Sequence, residues 1–221
     1  MRIRLPSGTP AERAVPASGS ATAGLVICPD IGGLRPLFDD MAQRLADDLG
    51  RVVVAPEPFP GREDLPLDQR LEAVADLVDH AVLADLASAA EATGFDHVDV
   101  VGFCLGGMYT FKAAGTGRFE RAVAFYGMIR LPEAWQSPTQ AEPLEALSSN
   151  FCSKTLAIIG TEDPYTPPDD VEALEATGVT VVRYEGAQHG FVHDPSRPAH
   201  RPDDAADAWS RTESFLTQSD T

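Results

Sequence analysis

The stretch Val100-Val101-Gly102-Phe103-Cys104-Leu105-Gly106-Gly107 joins an apolar strand to the start of a helix through a cysteine. This is the pattern of a nucleophile elbow, G-x-S-x-G, with cysteine in place of serine. A nucleophile on such a sharp turn needs minimal side chains two residues before and after it, and Gly102 and Gly106 provide them. The turn places Cys104 at a helix N-terminus, which favours a thiolate, and aims the Leu105 N–H at a developing oxyanion. A buried structural cysteine on a glycine-rich turn is the alternative.

Short apolar runs alternate with amphipathic segments on both sides of the elbow. Apolar residues spaced by four across 36–49 predict a helix, and Val-Val-Val within 51–55 predicts a buried strand. This alternation predicts one α/β domain over 1–221, with a mostly parallel sheet of about seven strands and helices on both faces. The other predicted strands are 25–28, 97–101, 121–126, 155–159 and 179–184. The other predicted helices are one long helix over 68–92 and shorter ones over 105–114, 169–177 and 203–217. Residues 6–24 are predicted to form a weak hairpin or a loose arm.

Two polar loops follow later strands and complete a catalytic pattern. Asp163 lies in a loop held by Pro164 and Pro167, and His189 follows the last strand between nearby glycines. Alone, each is typical of an ordinary surface loop. In the order nucleophile, acid, histidine, however, they match the α/β-hydrolase order, with each residue after a separate strand. The sequence therefore predicts that Cys104 attacks a carbonyl to form an acyl-enzyme, His189 accepts and returns the proton, and Asp163 orients the imidazole.

These motifs resemble those of the dienelactone hydrolase (carboxymethylenebutenolidase) family from about residue 22 to about residue 216. The matching segments are Gly-Phe-Cys-Leu-Gly-Gly at 102–107, Phe-Tyr-Gly at 125–127, the acid loop, and Ala-Gln-His-Gly-Phe at 187–191. The resemblance implies a small cytosolic α/β-hydrolase with a cysteine nucleophile and no metal or organic cofactor. Enzymes of this family open the lactone ring of dienelactone to give maleylacetate, and many relatives act on other esters or lactones.

The first loop of the predicted sheet departs from that family. The family carries a glutamate after its first core strand, which holds the resting thiol neutral and deprotonates it when substrate arrives. This chain has Asp30 there, one methylene shorter. The resemblance implies that Asp30 is an auxiliary acid that reaches the thiol through a backbone shift or through water; otherwise Cys104 is governed by His189 alone. A helix or turn cap before Gly32 and Gly33 is the alternative role for Asp30. The N–H of Ile31 would be the second oxyanion donor.

The substrate contacts depart as well. The family holds the dienelactone carboxylate with two arginines; Arg70 is the candidate for the first, with Arg62 as a rival, and His193 stands near the place of the second. Histidine is only partly charged at neutral pH and makes no bidentate fork, which favours an uncharged or differently shaped ester, lactone or thioester. The candidate aromatic pocket walls are Phe38, Tyr126, Trp135, Tyr165 and Phe191.

Composition excludes several other classes. The chain has 221 residues, with 17 basic and 34 acidic side chains and a net charge of −17. No cluster of lysine or arginine gives a nucleic-acid footprint, and no apolar run is long enough to span a membrane. The N-terminus lacks the apolar stretch of a secretory signal, so we expect a cytoplasmic protein. Three scattered cysteines form neither a disulfide framework nor a zinc pattern. We expect a monomer with a small-molecule substrate.

Three other functions remain open from the sequence. A thioesterase or acyl transferase could use the same three residues, since a thiolate leaving group suits a cysteine nucleophile. A non-catalytic binder could retain the fold and use the pocket as a receptor. A redox-sensing thiol is less well supported, because no resolving cysteine lies nearby in sequence.

Overall fold

A computed structural model describes residues 1–150 and 152–218, and an eight-stranded sheet forms its centre. The order of the strands is β1-β2-β4-β3-β5-β6-β7-β8. Pairs from β4 through β3 to β8 are parallel, whereas β1, β2 and β4 pair antiparallel. The mostly parallel sheet is confirmed, with eight strands rather than about seven. An N-terminal hairpin joins its edge, but it spans residues 2–14 and not the predicted segment 6–24, because residues 2–4 pair with residues 10–12. The strands are β1 (Arg2–Arg4), β2 (Pro10–Ala14), β3 (Ala23–Cys28), β4 (Arg51–Pro56), β5 (Val98–Phe103), β6 (Arg121–Phe125), β7 (Lys154–Gly160) and β8 (Thr180–Tyr184).

Helices cover both faces of this sheet, as the short all-apolar strands predict. Alternate residues of β3 enter opposite core layers: Leu25 and Ile27 pack with α1 and α7, while Val26 and Cys28 pack with α3 and α4. The described helices are α1 (Pro36–Leu49), α2 (Leu67–Ala73), α3 (Asp79–Thr93), α4 (Leu105–Ala114), α5 (Pro143–Ala146), α6 (Pro168–Glu175) and α7 (Pro202–Thr217), with 3₁₀ turns at Val74–Asp76 and Glu133–Trp135. Among them, none is long and apolar enough to cross a membrane.

The single helix predicted over 68–92 is wrong, since the chain is extended between α2 and α3. Tertiary contacts replace helical ones at this break. The Val74 carbonyl accepts a hydrogen bond from Gln140 Nε2, and Asp79 is bound by the buried Lys112 ammonium at 2.8 Å. The Asp79 N–H also donates to the Thr139 carbonyl. These contacts hold Asp79, the first residue of α3, where a continuous helix would not place it. They outweigh the intrinsic helix propensity of the segment, which is small compared with tertiary contacts.

Candidate active site

The elbow places Cys104 between β5 and α4 in a backbone conformation that non-glycine residues rarely adopt. Its φ of 57° and ψ of −116° lie outside the allowed regions for most side chains, as expected where strain is held at a functional turn. A Cβ added at Gly106 would lie 2.0 Å from the Cys28 carbonyl oxygen, and one at Gly102 would lie 2.2 Å from the Gly106 carbonyl oxygen. The two elbow glycines are therefore required by close backbone packing, as the motif predicts.

His189 reaches this elbow from the loop after β8 and is oriented by the acid loop after β7. Its Nδ1 lies 2.8 Å from Oδ2 of Asp163, whose side chain is fully buried and whose other oxygen accepts the Tyr165 N–H at 2.9 Å. Because an ionised carboxylate only accepts hydrogen bonds, Nδ1 carries the hydrogen. That tautomer leaves Nε2 for proton exchange, and Nε2 is buried without a hydrogen-bond partner in the described part of the chain.

The electrostatics of His189 favour a protonated ring. Burial opposes charging, but the hydrogen bond to Asp163 and the interactions with the Cys104 thiol outweigh it and raise the pKa of His189 to about 9. Proximity of Cys104 to the imidazole is thus part of the cause. Such a histidine can hold the proton that a cysteine releases.

The predicted oxyanion donors flank the same thiol. Leu105 is the first residue of α4, so its N–H has no partner within the helix. The N–H of Ile31, in the loop after β3, donates to no other residue in the described ranges. Both groups are free to donate to a negatively charged oxygen that forms beside Cys104.

A cleft of about 550 Å³ opens over Cys104 and His189, within the range of small-molecule sites. Trp135 and Tyr165, two of the predicted walls, line it. Its remaining lining residues are Asp30, Ile31, Gly32, Arg35, Leu67, Leu71, Met128, Asp194 and Arg197. A small substrate with an apolar body could therefore lie with its carbonyl at the thiol.

Asp30 borders this cleft, but its carboxylate is fully engaged. Oδ1 accepts from the Gly32 N–H at 2.8 Å and from Arg35 at 2.6 Å, and Oδ2 accepts from Arg35 and lies 2.8 Å from His193 Nε2. Burial would raise the pKa of Asp30, but the bonds to His193 and Arg35 outweigh it and hold that pKa well below its usual range. A carboxylate held ionised in this way is a poor acceptor for the Cys104 proton, so the geometry does not support the auxiliary-acid interpretation. The turn-cap alternative fits the bond to Gly32.

His193 is buried under the cleft and does not line it. Its Nδ1 is hydrogen-bonded to the Tyr126 hydroxyl and its Nε2 to Asp30, so both ring nitrogens are occupied. Burial lowers the pKa of His193 despite the neighbouring carboxylate. The structure therefore gives no support to His193 or the equally buried Tyr126 as substrate contacts, because neither presents a free polar atom to the cleft.

Four other sequence candidates also lie elsewhere. Arg70 is buried, with its guanidinium on Glu57 and on the carbonyls of Ile31, Glu63 and Leu65, so it has no free donor fork for a substrate. Its rival Arg62 lines a different cavity. Phe38, which lies in α1, and Phe191 are both fully buried in the core and do not line the cleft.

Two arginines that no sequence motif singles out, Arg35 and Arg197, line the cleft instead. Arg35 is bound to Asp30, whereas the guanidinium of Arg197 makes no hydrogen bond or ion pair with any other described residue. Arg197 lies in the loop that carries His189, and Arg35 in the loop that carries Asp30. Their position at the carboxyl ends of parallel strands is the signal that could have identified them. Within the described ranges, no group of histidine, cysteine and acidic side chains is arranged to hold a metal.

Comparisons with known proteins agree on one family. The model of the dienelactone hydrolase family matches residues 11–219. The chain is 31% identical over 214 residues to a Bradyrhizobium protein named "Probable 2-oxo-3-(5-oxofuran-2-ylidene)propanoate lactonase", covering 87% of this chain and 82% of that one. It is 30% identical over 227 residues to a "Putative carboxymethylenebutenolidase" of Methylorubrum extorquens, covering 95% and 76%. The crystal structure of a "Putative Dienelactone Hydrolase" from Klebsiella pneumoniae superposes with a TM-score of 0.85 at 26% identity, covering 99% and 98%.

Proposed function

Because this chain belongs to the dienelactone hydrolase family, has the α/β-hydrolase fold and is an ester or lactone hydrolase, we propose that Cys104 is the nucleophile of the reaction. One observation carries the proposal. The Nε2 of His189 is buried and unpartnered among the described residues beside the strained Cys104, while its Nδ1 is fixed by Asp163. A nucleophile, a base and an orienting acid with these roles form a catalytic triad.

The proposed reaction has two steps. His189 Nε2 takes the thiol proton, and Cys104 Sγ attacks the carbonyl carbon while the N–H groups of Leu105 and Ile31 bind the oxyanion. The ring or ester C–O bond then breaks, and the imidazolium gives its proton to the leaving oxygen, which leaves a thioester on Cys104. His189 then takes a proton from water, whose oxygen attacks the thioester carbonyl. The C–S bond breaks, the acid product leaves, and the imidazolium returns its proton to Cys104 Sγ, which regenerates the thiol.

The substrate is proposed to carry an anionic group. Arg197 borders the cleft beside His189 and its guanidinium is free of carboxylates in the described part of the chain, while Asp30 already neutralises Arg35. Against a net charge of −17, an unpaired cation at the cleft is the local positive charge that a carboxylate needs. The lactone in the name of the Bradyrhizobium relative is a propanoate on a five-membered ring. Arg197 thus takes the role that the sequence suggested for Arg70 and His193.

Asp30 is proposed to position rather than to transfer protons. Its side chain ties the Gly32 N–H, Arg35 and His193 together at 2.6–2.8 Å. This network fixes the loop that carries the Ile31 N–H. A residue next to an oxyanion donor must be rigid, because the donor works only at the position that the charge will occupy.

The test is ring opening of dienelactone by the purified protein, run beside Cys104→Ala. We expect turnover that disappears in the variant and a weaker response on uncharged esters. Turnover of a thioester in preference to any lactone would favour the thioesterase alternative. Full activity in Cys104→Ala would overturn the proposal, and no turnover of any ester, lactone or thioester would favour a non-catalytic binder.

A further inference from the structure

A buried ion pair contacts the loop that carries Ile31, residues 29–35 between β3 and α1. Glu57, in the segment after β4, and Arg70, in α2, are both buried, and their side chains pair at 3.2 Å. The cost of taking two charges out of water offsets their attraction, so a buried pair is weak evidence for a stabilising role. The contacts that this pair makes with the loop are therefore the better guide to what it does.

The Arg70 guanidinium joins three segments of the chain. Its Nη1 donates to the Ile31 carbonyl and to Glu57 Oε1, each at 3.2 Å. Its Nε donates to the Leu65 carbonyl at 3.1 Å, and its Nη2 donates to the Glu63 carbonyl. The planar guanidinium reaches acceptors in several directions at once, which the ammonium of a lysine does not.

The Glu57 carboxylate binds the same loop at a second point. Its Oε2 accepts from the Leu34 N–H at 2.8 Å, and its Oε1 accepts from the Phe59 N–H at 3.0 Å as well as from Arg70. A side-chain amide has only one acceptor oxygen, so it could not bind both N–H groups. Gly33 has a φ of 67°, and a Cβ there would lie 2.6 Å from Arg70 Nη1 and from both Glu57 oxygens. The loop is thus shaped to fit the ion pair.

These hydrogen bonds fix the two peptide groups that flank Ile31. In the peptide after it, Arg70 binds the Ile31 carbonyl, and Asp30 Oδ1 binds the Gly32 N–H at 2.8 Å. In the peptide before it, the Asp30 carbonyl accepts from the Gly33 N–H at 2.9 Å. Because a peptide group is planar, a fixed C=O also fixes the direction of its N–H. The Ile31 N–H is therefore held in one direction.

We propose that Glu57 and Arg70 are positioning residues of the reaction, which hold the Ile31 N–H in the direction of the oxyanion. This role rests on the proposed function, in which that N–H stabilises the negative oxygen that forms beside Cys104. Neither side chain lines the cleft, so neither touches the substrate. Their effect should therefore appear in the transition state, where the oxyanion donor acts, and not in substrate binding.

Glu57→Gln, compared with Asp99→Asn, is the direct test. Asp99 is buried like Glu57, and its two oxygens also accept from a backbone N–H, that of Arg121, and from a guanidinium, that of Arg51. It lies near the amino end of β5, away from the loop that carries Ile31.

The readout is the steady-state hydrolysis of a p-nitrophenyl ester, with kcat expressed per folded molecule from circular dichroism. We expect Glu57→Gln to lower kcat about 10–100-fold and to change KM less than about threefold, because a misdirected donor fails only in the transition state. Asp99→Asn should keep kcat within about twofold, since its site is distant from the cleft.

The affinities of two ketones separate positioning from a general loss of structure. With trifluoroacetophenone, Cys104 Sγ bonds to the carbonyl carbon, the carbonyl π electrons move to the oxygen, and the thiol proton passes to His189. Acetophenone binds without reacting. We expect the ratio of their inhibition constants to favour trifluoroacetophenone at least about 100-fold in the wild type and about tenfold less in Glu57→Gln. Asp99→Asn should keep the wild-type ratio.

Arg70→Lys keeps the charge but loses the planar donor group, so it should lower kcat and the ketone ratio in the same direction as Glu57→Gln. It decides the test if Glu57→Gln does not fold. The proposal is overturned if both variants keep the wild-type kcat and ratio, or if Asp99→Asn lowers them equally.

A failure of this role alone is distinguishable from a failure of the proposed function. In the first case Cys104→Ala still abolishes turnover and the wild type still prefers trifluoroacetophenone, while Glu57→Gln behaves like the wild type. Full turnover by Cys104→Ala, or equal affinity of the wild type for the two ketones, would overturn the proposed nucleophile or oxyanion site and this role with it.

Discussion

Two histidine–aspartate pairs lie side by side in this molecule and behave in opposite ways. His189 with Asp163 and His193 with Asp30 have the same 2.8 Å separation between ring nitrogen and carboxylate oxygen. Yet the pKa of His189 is raised to about 9, chiefly because the bond to Asp163 overcomes burial, while burial lowers the pKa of His193. The positive charges of Arg197 and Arg35 also lower the pKa of His193, and Arg35 shares the Asp30 carboxylate with it.

The comparison shows that a carboxylate partner does not by itself make a catalytic base. His189 keeps Nε2 free beside a thiol, whereas His193 has both nitrogens occupied and its side chain fully buried. The first pair can exchange protons with a substrate in the cleft; the second can only hold the loop and Tyr126 in place. The free nitrogen therefore decides the role of each pair.

Matched substitutions of the two aspartates are expected to have the largest difference in effect on kcat. Asp163→Asn is expected to lower kcat by about 10³–10⁴-fold, because the amide no longer fixes the reactive tautomer. Asp30→Asn, the equivalent change in the other pair, is expected to lower kcat by about tenfold or less. Steady-state kinetics on one lactone measures both. Equal losses in the two variants would show that the pairs are not functionally distinct.

The pair of His193 and Asp30 should contribute more to the stability of the fold than to catalysis. Asp30→Ala leaves the buried His193 and the Arg35 guanidinium without their carboxylate, which we expect to cost about 2–3 kcal/mol of unfolding free energy after allowing for the partial exposure of Arg35. Urea denaturation measures this loss. Thr217→Ala, on an exposed helix end, provides a control that should change little.

The same pair predicts a pH dependence. The pKa of Asp30 in the folded state lies below its value of about 4 in the unfolded state. The ionised Asp30 carboxylate therefore stabilises the fold fully above about pH 4, and this stabilisation is lost as the pH falls from 4 toward the folded-state pKa. The stability gap between wild type and Asp30→Ala should thus narrow below about pH 4. A gap that stays constant down to pH 2 would contradict the ionised state assigned to Asp30.

Arg197 is expected to distinguish charged from neutral substrates in the cleft. Arg197→Gln is expected to raise KM for a carboxylate-bearing lactone about tenfold, since a charge-assisted hydrogen bond is lost, and to leave KM for a neutral ester unchanged. Arg183→Gln is the control, because Arg183 is paired with Glu175 and does not line the cleft. Parallel changes for both substrates would argue against a carboxylate contact.

The smallest expected effect is a shift in pH profile. With a His189 pKa of about 9, the imidazolium that protonates the leaving oxygen is lost above that pH, so kcat/KM should fall on the alkaline side. Asp163→Asn removes the anion that raises this pKa, so the residual activity should fall at a lower pH than that of the wild type. For His193→Gln, kcat/KM should fall at the same alkaline pH as in the wild type. If kcat/KM of Asp163→Asn also falls at the wild-type pH, the group that titrates is not His189.

The sheet and the three residues of the candidate triad could be predicted because each depends on local pattern. The sequence itself contains the apolar strands, the elbow glycines and the order of Cys104, Asp163 and His189. The helix break at residues 77–78 could not be predicted in this way, since it depends on Lys112 and Gln140, which are distant in sequence.

The partners of the polar side chains could not be predicted from the sequence either. Whether Arg70 or Arg197 faces substrate depends on which carboxylates reach each guanidinium, and Glu57 reaches only the first. The same holds for Asp30, whose neighbours Arg35 and His193 decide its charge state. These partners are distant in sequence, so the resemblance to a family does not reveal them.

Trapping the acyl group on the protein tests whether Cys104 is the nucleophile. The protein is mixed with p-nitrophenyl acetate, quenched with acid within milliseconds to seconds, and examined by intact mass and peptide mapping, with turnover of Cys104→Ala followed in parallel. We predict a transient acetyl group on the Cys104 peptide alone, and no turnover by the variant above the buffer rate. An acetyl group on Cys28, Cys152 or another side chain, or full turnover by Cys104→Ala, would show that Cys104 is not the nucleophile.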